Sequence, residues 1–307
     1  MNGKSLGNLL KKQQITVPAV YDCISARAVE LSGYQAAYLN SCALAGSCCG
    51  VAAMGMVTAD EVSHVASRIA EYSPLSVIVD FENGFSDNIL SVCRSLRKLL
   101  HAGADAVILD DTTNIRSVDG HIETEIISQE QWNQKVKAVS DIASEAGCLV
   151  ICRTFAKGIS GLKEAINRCV VAESAGADLT SIYGLKTMEE ANCVAASVKG
   201  WKMWSDLGVT DRKQDVDAQQ IEKLGYRLIT IHYTEKGTLF GMADFANHTK
   251  QNGNTVYHDE HDFNGLLQSR DYHTLFDFHK YWLPLEERLN NVDDICNIHI
   301  AGKKAGK

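Results

Sequence analysis

A helical stretch, a glycine and a short apolar strand recur five times along this chain. The unit reads "ELSGYQAAYLN" at 30–40, "LLHAGADAVILDD" at 99–111, "ASEAGCLVICRT" at 143–154, "AESAGADLTSIYG" at 172–184 and "IEKLGYRLITIHY" at 221–233. Glycine suits the left-handed position that ends a helix. A strand that is apolar at both parities must be covered on both faces, as in a parallel sheet clothed in helices. Three further strand-like runs, "VPAVYD" (17–22), "SVIVDF" (76–81) and "WKMWSD" (201–206), bring the expected strands to eight. Eight strands alternating with helices over ~230 residues predict an α/β fold of the (β/α)8 TIM-barrel class rather than an open doubly wound sheet. No GxGxxG follows the first strand, so a dinucleotide site in an open sheet has no support.

With 307 residues, three prolines and no Ser/Gly-rich linker, the chain reads as one barrel over 1–262, opened by a short N-terminal helix. A helical extension is expected over 263–307. The aromatic and leucine spacing of "DEHDFNGLLQSRDYHTLFDFHKYWLPLEERLNN" suits helices that pack on a neighbour or on a second subunit. The formal charge of −8 argues against a broad nucleic-acid surface. No apolar run approaches the ~20 residues of a membrane helix. The N-terminus lacks the apolar core of a signal peptide, and the expected location is cytoplasmic. The ten cysteines are then read as reduced, small apolar residues. The cluster "SCALAGSCCG" contains no CxxC pair, which leaves a zinc or iron–sulfur site unsupported.

Reactive groups in a barrel collect where the strands end at its C-terminal face. In order these ends carry Asp22, Asn40–Ser41, Asp80 with Glu82, Asp110–Asp111, Arg153, Tyr183, Asp206 and His232. Carboxylates that converge from separate strands resist joint ionisation unless a cation neutralises them. Oxygen-rich ligation suits Mg²⁺ or Mn²⁺. Asp80, Glu82 and Asp110 form the best trio, and the strand pleat turns Asp111 the other way. The plainer alternatives are a helix N-cap for Asp110 or Asp111 and a solvated strand end for Asp80 and Glu82. Arg153 needs an anion if buried, either a bound carboxylate or phosphonate or a bridge to the acidic strand ends. His232 reads equally as a barrel-wall residue or a substrate contact.

At these residues the chain resembles the isocitrate lyase/phosphoenolpyruvate mutase superfamily over about residues 17 to 240. A D-x-x-S-A-R-like opening is matched by "YDCISARAVELSGY", and a strand ending in S-G by "YLNSCALAG". The D-x-D-T-G-Y-G metal motif appears as Asp80-Phe81-Glu82-Asn83-Gly84-Phe85, L-E-D as Leu109-Asp110-Asp111, and A-R-T-(D/E)-A as "CRTFA". The resemblance implies a barrel, usually a homotetramer whose C-terminal helices exchange between subunits, with a homodimer as the smaller alternative. It implies a Mg²⁺-dependent reaction on a small 2-oxo or 2-hydroxy acid through a metal-stabilised enolate. By position, Asp80, Glu82 and Asp110 would hold the metal. Tyr21, Asp22, Ser41 and Cys42 would receive the substrate, and Arg153 would neutralise its anionic end.

The departures shape the expected chemistry. Isocitrate-type lyases carry K-(K/R)-C-G-H, whose cysteine works as acid/base; here "RSVDGHIETEI" keeps Gly120 and His121 but has Asp119 at the cysteine position. The mutase K-T-N-S stretch loses its lysine in "TTNIRSVDG", and "GVAAMG" puts Ala53 where members carry aspartate. Asp119, His121 and His232 are therefore the expected proton-transfer residues. His232 matches a histidine of the mutase and oxaloacetate-decarboxylase branches, which favours a 2-oxo acid. The expected activity is a carbon–carbon lyase or decarboxylase. Phosphonopyruvate chemistry, hydroxymethyl transfer as in ketopantoate hydroxymethyltransferase, and a ligand-binding pseudoenzyme are the alternatives.

Overall fold

Gly33, Gly103, Gly147, Gly176 and Gly225, one from each repeated unit, all take positive φ, from +69° to +108°. Each lets the chain leave a helix and enter a strand within two or three residues. The structure, a computed structural model, describes residues 6–51, 55–113 and 125–254. The first half runs α1 (Leu6–Lys12), β1 (Ile15–Val20), α2 (Cys23–Leu31), β2 (Ala36–Leu39), α3 (Ser41–Cys49), α4 (Ala59–Tyr72), β3 (Ser76–Asp80), α5 (Ile89–His101) and β4 (Ala106–Asp110). It continues through α6 (Gln129–Ala146), β5 (Leu149–Thr154), α7 (Ala156–Ser160), α8 (Leu162–Ser174), β6 (Leu179–Ile182), α9 (Met188–Ser197) and β7 (Trp201–Trp204). A small hairpin of β8 (Val209–Thr210) and β9 (Lys213–Gln214) precedes α10 (Ala218–Lys223), β10 (Tyr226–Ile231) and α11 (Thr234–Asn252).

The eight long strands close in the order β1-β10-β7-β6-β5-β4-β3-β2, every pair parallel. This is the expected (β/α)8 barrel. Its interior is filled at one strand parity by Tyr38, Ile78, Ile108, Ile151, Met203 and Leu228. At the other parity Leu39, Val79, Leu109, Val150 and Cys152 face the helices. Leu6, Leu9 and Leu10 of α1 join the interior cluster and close the end where the strands begin. Moving two residues on from each interior apolar residue gives Asn40, Asp80, Asp110, Arg153, Ser205 and Thr230, with His232 one step further. A period-2 strand thus carries its polar residues to the opposite end of the same lumen, above an apolar floor.

The chain divides into two compact units, Met1–Thr238 and Leu239–Lys307. The first holds the barrel. In the second, the described residues are the remainder of α11, where Leu239, Phe240 and Met242 are exposed. The expected helical extension over 263–307 lies outside the described residues. No helix among the described residues is long and apolar enough to cross a membrane. The nine described cysteines are unpaired.

Candidate active site

Three strand ends meet at Arg153. Its Nε donates to Asp110 Oδ1 at 2.7 Å and its Nη2 to Asp110 Oδ2 at 2.8 Å, a two-point grip. The same Nη2 donates to Asp80 Oδ1 at 3.1 Å, and Nη1 donates to the Tyr38 hydroxyl at 3.2 Å. Asp80 Oδ2 in turn accepts from Tyr38 Oη at 2.7 Å and from Ser41 Oγ at 3.0 Å. Tyr38 Oη also accepts from Asn40 Nδ2 at 3.3 Å, which fills its one donor and two acceptor positions. Arg153 has five N–H groups, and among the described residues one Nη1–H is left for another partner. All of these side chains are buried.

Burial sets the protonation. It pushes the Asp110 carboxyl up to about 7, although Arg153 pulls the other way. Tyr38 is driven well above its ordinary value, first by burial and then by the charge of Asp80. On Arg153, burial works against the charge, but Asp110, Tyr38 and Asp80 together outweigh it and hold the guanidinium protonated. Asp111 faces outward, as the pleat requires. It accepts from Thr154 Oγ1 at 2.5 Å, Phe155 N at 2.9 Å and Arg168 Nη1 at 3.1 Å, tying β4 to β5 and α8.

Glu82 stands on the turn after β3 with φ +46°, a conformation that side-chain-bearing residues rarely adopt. Its carbonyl accepts from Asp110 N at 2.6 Å, which locks this turn to β4, and its Oε1 accepts from Gly55 N at 2.9 Å. Lys135 of α6, buried and lowered from its ordinary pKa by that burial, donates to the Asn83 carbonyl at 3.0 Å.

A second network links β2, β7 and β10. Asn40 caps α3: its Oδ1 accepts from Ala43 N at 2.9 Å, so its Nδ2 faces Tyr38 and, at 3.5 Å, His232 Nε2. The other ring nitrogen, Nδ1, lies 3.0 Å from Asp206 Oδ1. An amide N–H on one side and a carboxylate on the other select one tautomer, with the proton on Nδ1 and a lone pair at Nε2. Asp206 sits at φ +55°, with its own amide on Thr230 Oγ1 at 2.9 Å. The hydrogen bond from His232 holds its carboxyl below the ordinary value.

The remaining expected contacts fall into two groups. Asp22 spends its carboxylate as the N-cap of α2, accepting from Ser25 N and Ser25 Oγ at 2.7 Å each. Tyr21 Oη donates to Thr238 Oγ1 at 2.8 Å. Ser41 is turned onto Asp80 by both its hydroxyl and its amide. Cys42, at the start of α3, is pushed up to about 12 by burial first and then by Asp80 and Glu82, so it stays a thiol. Ala53, Asp119 and His121 lie outside the described residues. Tyr38 and Asp206 carry structural weight in the site that the sequence reading did not assign to them. Strand parity was the available signal for Tyr38, which lies one inward step below Asn40.

The donors here suit a hard divalent ion in charge and kind: two buried carboxylates, Asp80 and Asp110, share one guanidinium, Glu82 is buried on the adjoining turn, and burial pushes Asp110 towards neutrality. In the arrangement seen, Arg153 occupies the space between Asp80 and Asp110. Among the described residues no group of three or more His, Cys, Asp or Glu side chains is already gathered into a metal cage.

The family model described as phosphoenolpyruvate phosphomutase matches residues 6–243. The chain belongs to this family. It therefore sits in the isocitrate lyase/phosphoenolpyruvate mutase superfamily. Among its relatives, the 2-methylisocitrate lyase of Aeropyrum pernix is 29% identical over 234 residues, covering 76% of this chain and 74% of the relative. The 2,3-dimethylmalate lyase of Eubacterium barkeri is 27% identical over 226 residues, covering 74% and 77%. A phosphonopyruvate hydrolase crystallised with oxalate and Mg²⁺ shares the fold at a TM-score of 0.74 with 19% identity, over 95% of this chain and 97% of that one. In this phosphoenolpyruvate phosphomutase family member, the Arg153 network joins the ends of β2, β3, β4 and β5, while Asp22, after β1, caps α2 instead.

Proposed function

We propose that the chain is a Mg²⁺- or Mn²⁺-dependent carbon–carbon lyase or decarboxylase acting on a small 2-oxo or 2-hydroxy acid. The observation that carries this reading is the buried pair Asp80 and Asp110 on one guanidinium, with Glu82 on the adjoining turn. Asp80, Glu82 and Asp110 would hold the ion, which supplies Lewis-acid polarisation of the 2-oxo group when bound. The chain's own groups do the rest. The unused Arg153 N–H and the start of α3 at Cys42 would receive the acid's carboxylate, joined by Ser41 once its donors leave Asp80. Tyr21 and Asp22, at the end of β1, would border it. His232 offers an unprotonated Nε2 to take a proton from a substrate hydroxyl, and Asp206 steadies the resulting charge. Asp119 and His121, outside the described residues, are the other two groups assigned to proton transfer.

Support comes from relatives named for lyase reactions on small acids, 2-methylisocitrate lyase and 2,3-dimethylmalate lyase. The test is turnover of oxaloacetate and of branched malates and isocitrates, followed as release of 2-oxo acid with Mg²⁺ and after chelation. Asp80→Asn should cut kcat/KM by about a thousandfold or more, ~4 kcal/mol of transition-state stabilisation. Asp206→Asn should cost ~10²-fold in kcat with KM little changed. Turnover that survives both chelation and Asp80→Asn rejects the metal reading. Oxalate binding without any product identifies a binding protein instead. A second reading, cleavage or rearrangement of the P–C bond of phosphonopyruvate, is favoured by the phosphoenolpyruvate phosphomutase model itself. Phosphorus NMR of phosphonopyruvate incubated with the protein and Mg²⁺ decides it, and an unchanged spectrum removes it.

A further inference from the structure

Beside Arg153 the barrel mouth opens into a cavity of about 790 Å³ along the ends of β5, β6 and β7. It adjoins the site at two points. The Arg153 guanidinium carbon lies 5.4 Å from the Phe155 ring centroid, and Asp206, in the cavity wall, holds His232. A three- or four-carbon acid would fill little of this space, since whole drug-sized ligands occupy pockets of ~300–1,000 Å³. The wall next to Arg153 is aromatic. Phe155 and Tyr183 stack with centroids 4.6 Å apart and planes 22° apart, and Tyr183 is 50% exposed. Leu185 and Ile159 extend the apolar lining, while Gly158 and Gly184 add no side-chain bulk.

The charges in the lining do not suit a second carboxylate. Lys157 is paired with Glu190 at 2.6 Å and donates to the Gly184 carbonyl, so its charge is already compensated. Asp206 and Asp215 also line the cavity and would repel an anion. Among the described lining residues the remaining cation is Lys186, which is exposed. A carboxylate placed against the Phe155–Tyr183 stack would meet aromatic ring faces rather than hydrogen-bond donors.

We propose that this cavity is the subsite for the substituent on the fragment cleaved from the 2-oxo or 2-hydroxy acid, and that this substituent is bulky, uncharged and aromatic. An aryl ring would lie against Tyr183, which is half exposed and already stacks on Phe155, and extend an offset stack by one ring. The proposal rests on the reading of the carboxylate site as a 2-oxo acid site, and it names the class of acid.

The test is calorimetry on the whole chain with Mg²⁺, using oxalate, pyruvate, oxaloacetate and 3-phenylpyruvate as probes. Oxalate reads the carboxylate site alone. The phenyl compound should bind at least ~10-fold tighter than pyruvate and than oxaloacetate, the scale of one well-filled apolar contact. Tyr183→Ala should bring the phenylpyruvate-to-pyruvate affinity ratio close to one, and Tyr183→Phe should keep it. If oxalate binds and the phenyl group brings no gain in the unmodified protein, the subsite proposal falls alone. If oxaloacetate binds tighter than 3-phenylpyruvate, a second carboxylate is the preferred group and the proposal is again overturned. If oxalate itself does not bind, the underlying reading of the site fails and takes the proposal with it.

Discussion

Arg153 decides the charge balance at the centre of the barrel mouth. It neutralises Asp110 at two points and Asp80 at one, and all three side chains are buried. Removing a partner from a buried pair costs ~3–5 kcal/mol, because it strands the opposite charge in a medium that cannot solvate it. Arg153→Met keeps much of the side chain's length and volume and deletes its charge, so it isolates that cost. The variant should lose about that much stability at pH 7 in urea denaturation, and the loss should shrink as pH falls and Asp110 takes up a proton. A loss below ~1 kcal/mol would mean that the guanidinium is not the main neutralising group. Distances were needed to see this. The sequence placed Arg153 and both aspartates at one rim but left open whether the arginine faces a ligand or its own chain, because both arrangements satisfy the same residues.

At the level of elements, the turn between β3 and α5 couples local strain to the site. Gly84 takes φ +90°, and a Cβ built there would stand 2.6 Å from Val92 Cγ1, within the apolar packing of α5. Gly84→Ala should therefore destabilise by ~1–3 kcal/mol through both backbone strain and overpacking. It should also weaken Mg²⁺-dependent oxalate binding, since the same turn carries Glu82. Gly46, inside α3, meets nothing within 4 Å of a built Cβ. Gly46→Ala should be neutral or stabilising by up to ~1 kcal/mol, and thermal melts of the pair check the contrast. The elements were the most legible part of the sequence, because glycine exits and apolar runs are local signals. The boundary of β1 was not: the run read as "VPAVYD" ends at Val20, since Asp22 and Ser25 form the capping box of α2. Asp-x-x-Ser serves equally as a cap and as a family motif, and spacing alone does not separate the two uses. The pairing of Asp206 with His232 was invisible for a different reason. The two residues are 26 positions apart, on neighbouring strands of the closed sheet.

The whole barrel is built unevenly, with leucines of α1 sealing one end and carboxylates crowded at the other, and its stability should respond to pH and metal accordingly. Asp110 rises from 3.8 to about 7 on folding, so between those values the folded chain binds more protons than the unfolded one. For this group, stability must then fall as pH rises from about 4 to about 7. Asp105, Asp111 and Asp178 are also raised by burial, so the comparison with Asp110→Asn isolates the share that belongs to the site. A divalent ion bound by the folded chain alone adds RT ln(1 + [L]/Kd), ~2.7 kcal/mol at one hundred times Kd. Protons compete for the same oxygens, so this gain should be small at pH 5 and full above pH 7. Urea midpoints measured from pH 5 to 8 should fall without Mg²⁺ and flatten or rise with it, while Asp110→Asn loses the Mg²⁺ response and the share of the fall that belongs to Asp110. Midpoints at pH 8 that ignore Mg²⁺ would remove the ion from this site, and with it the chemistry assigned to Asp80, Glu82 and Asp110.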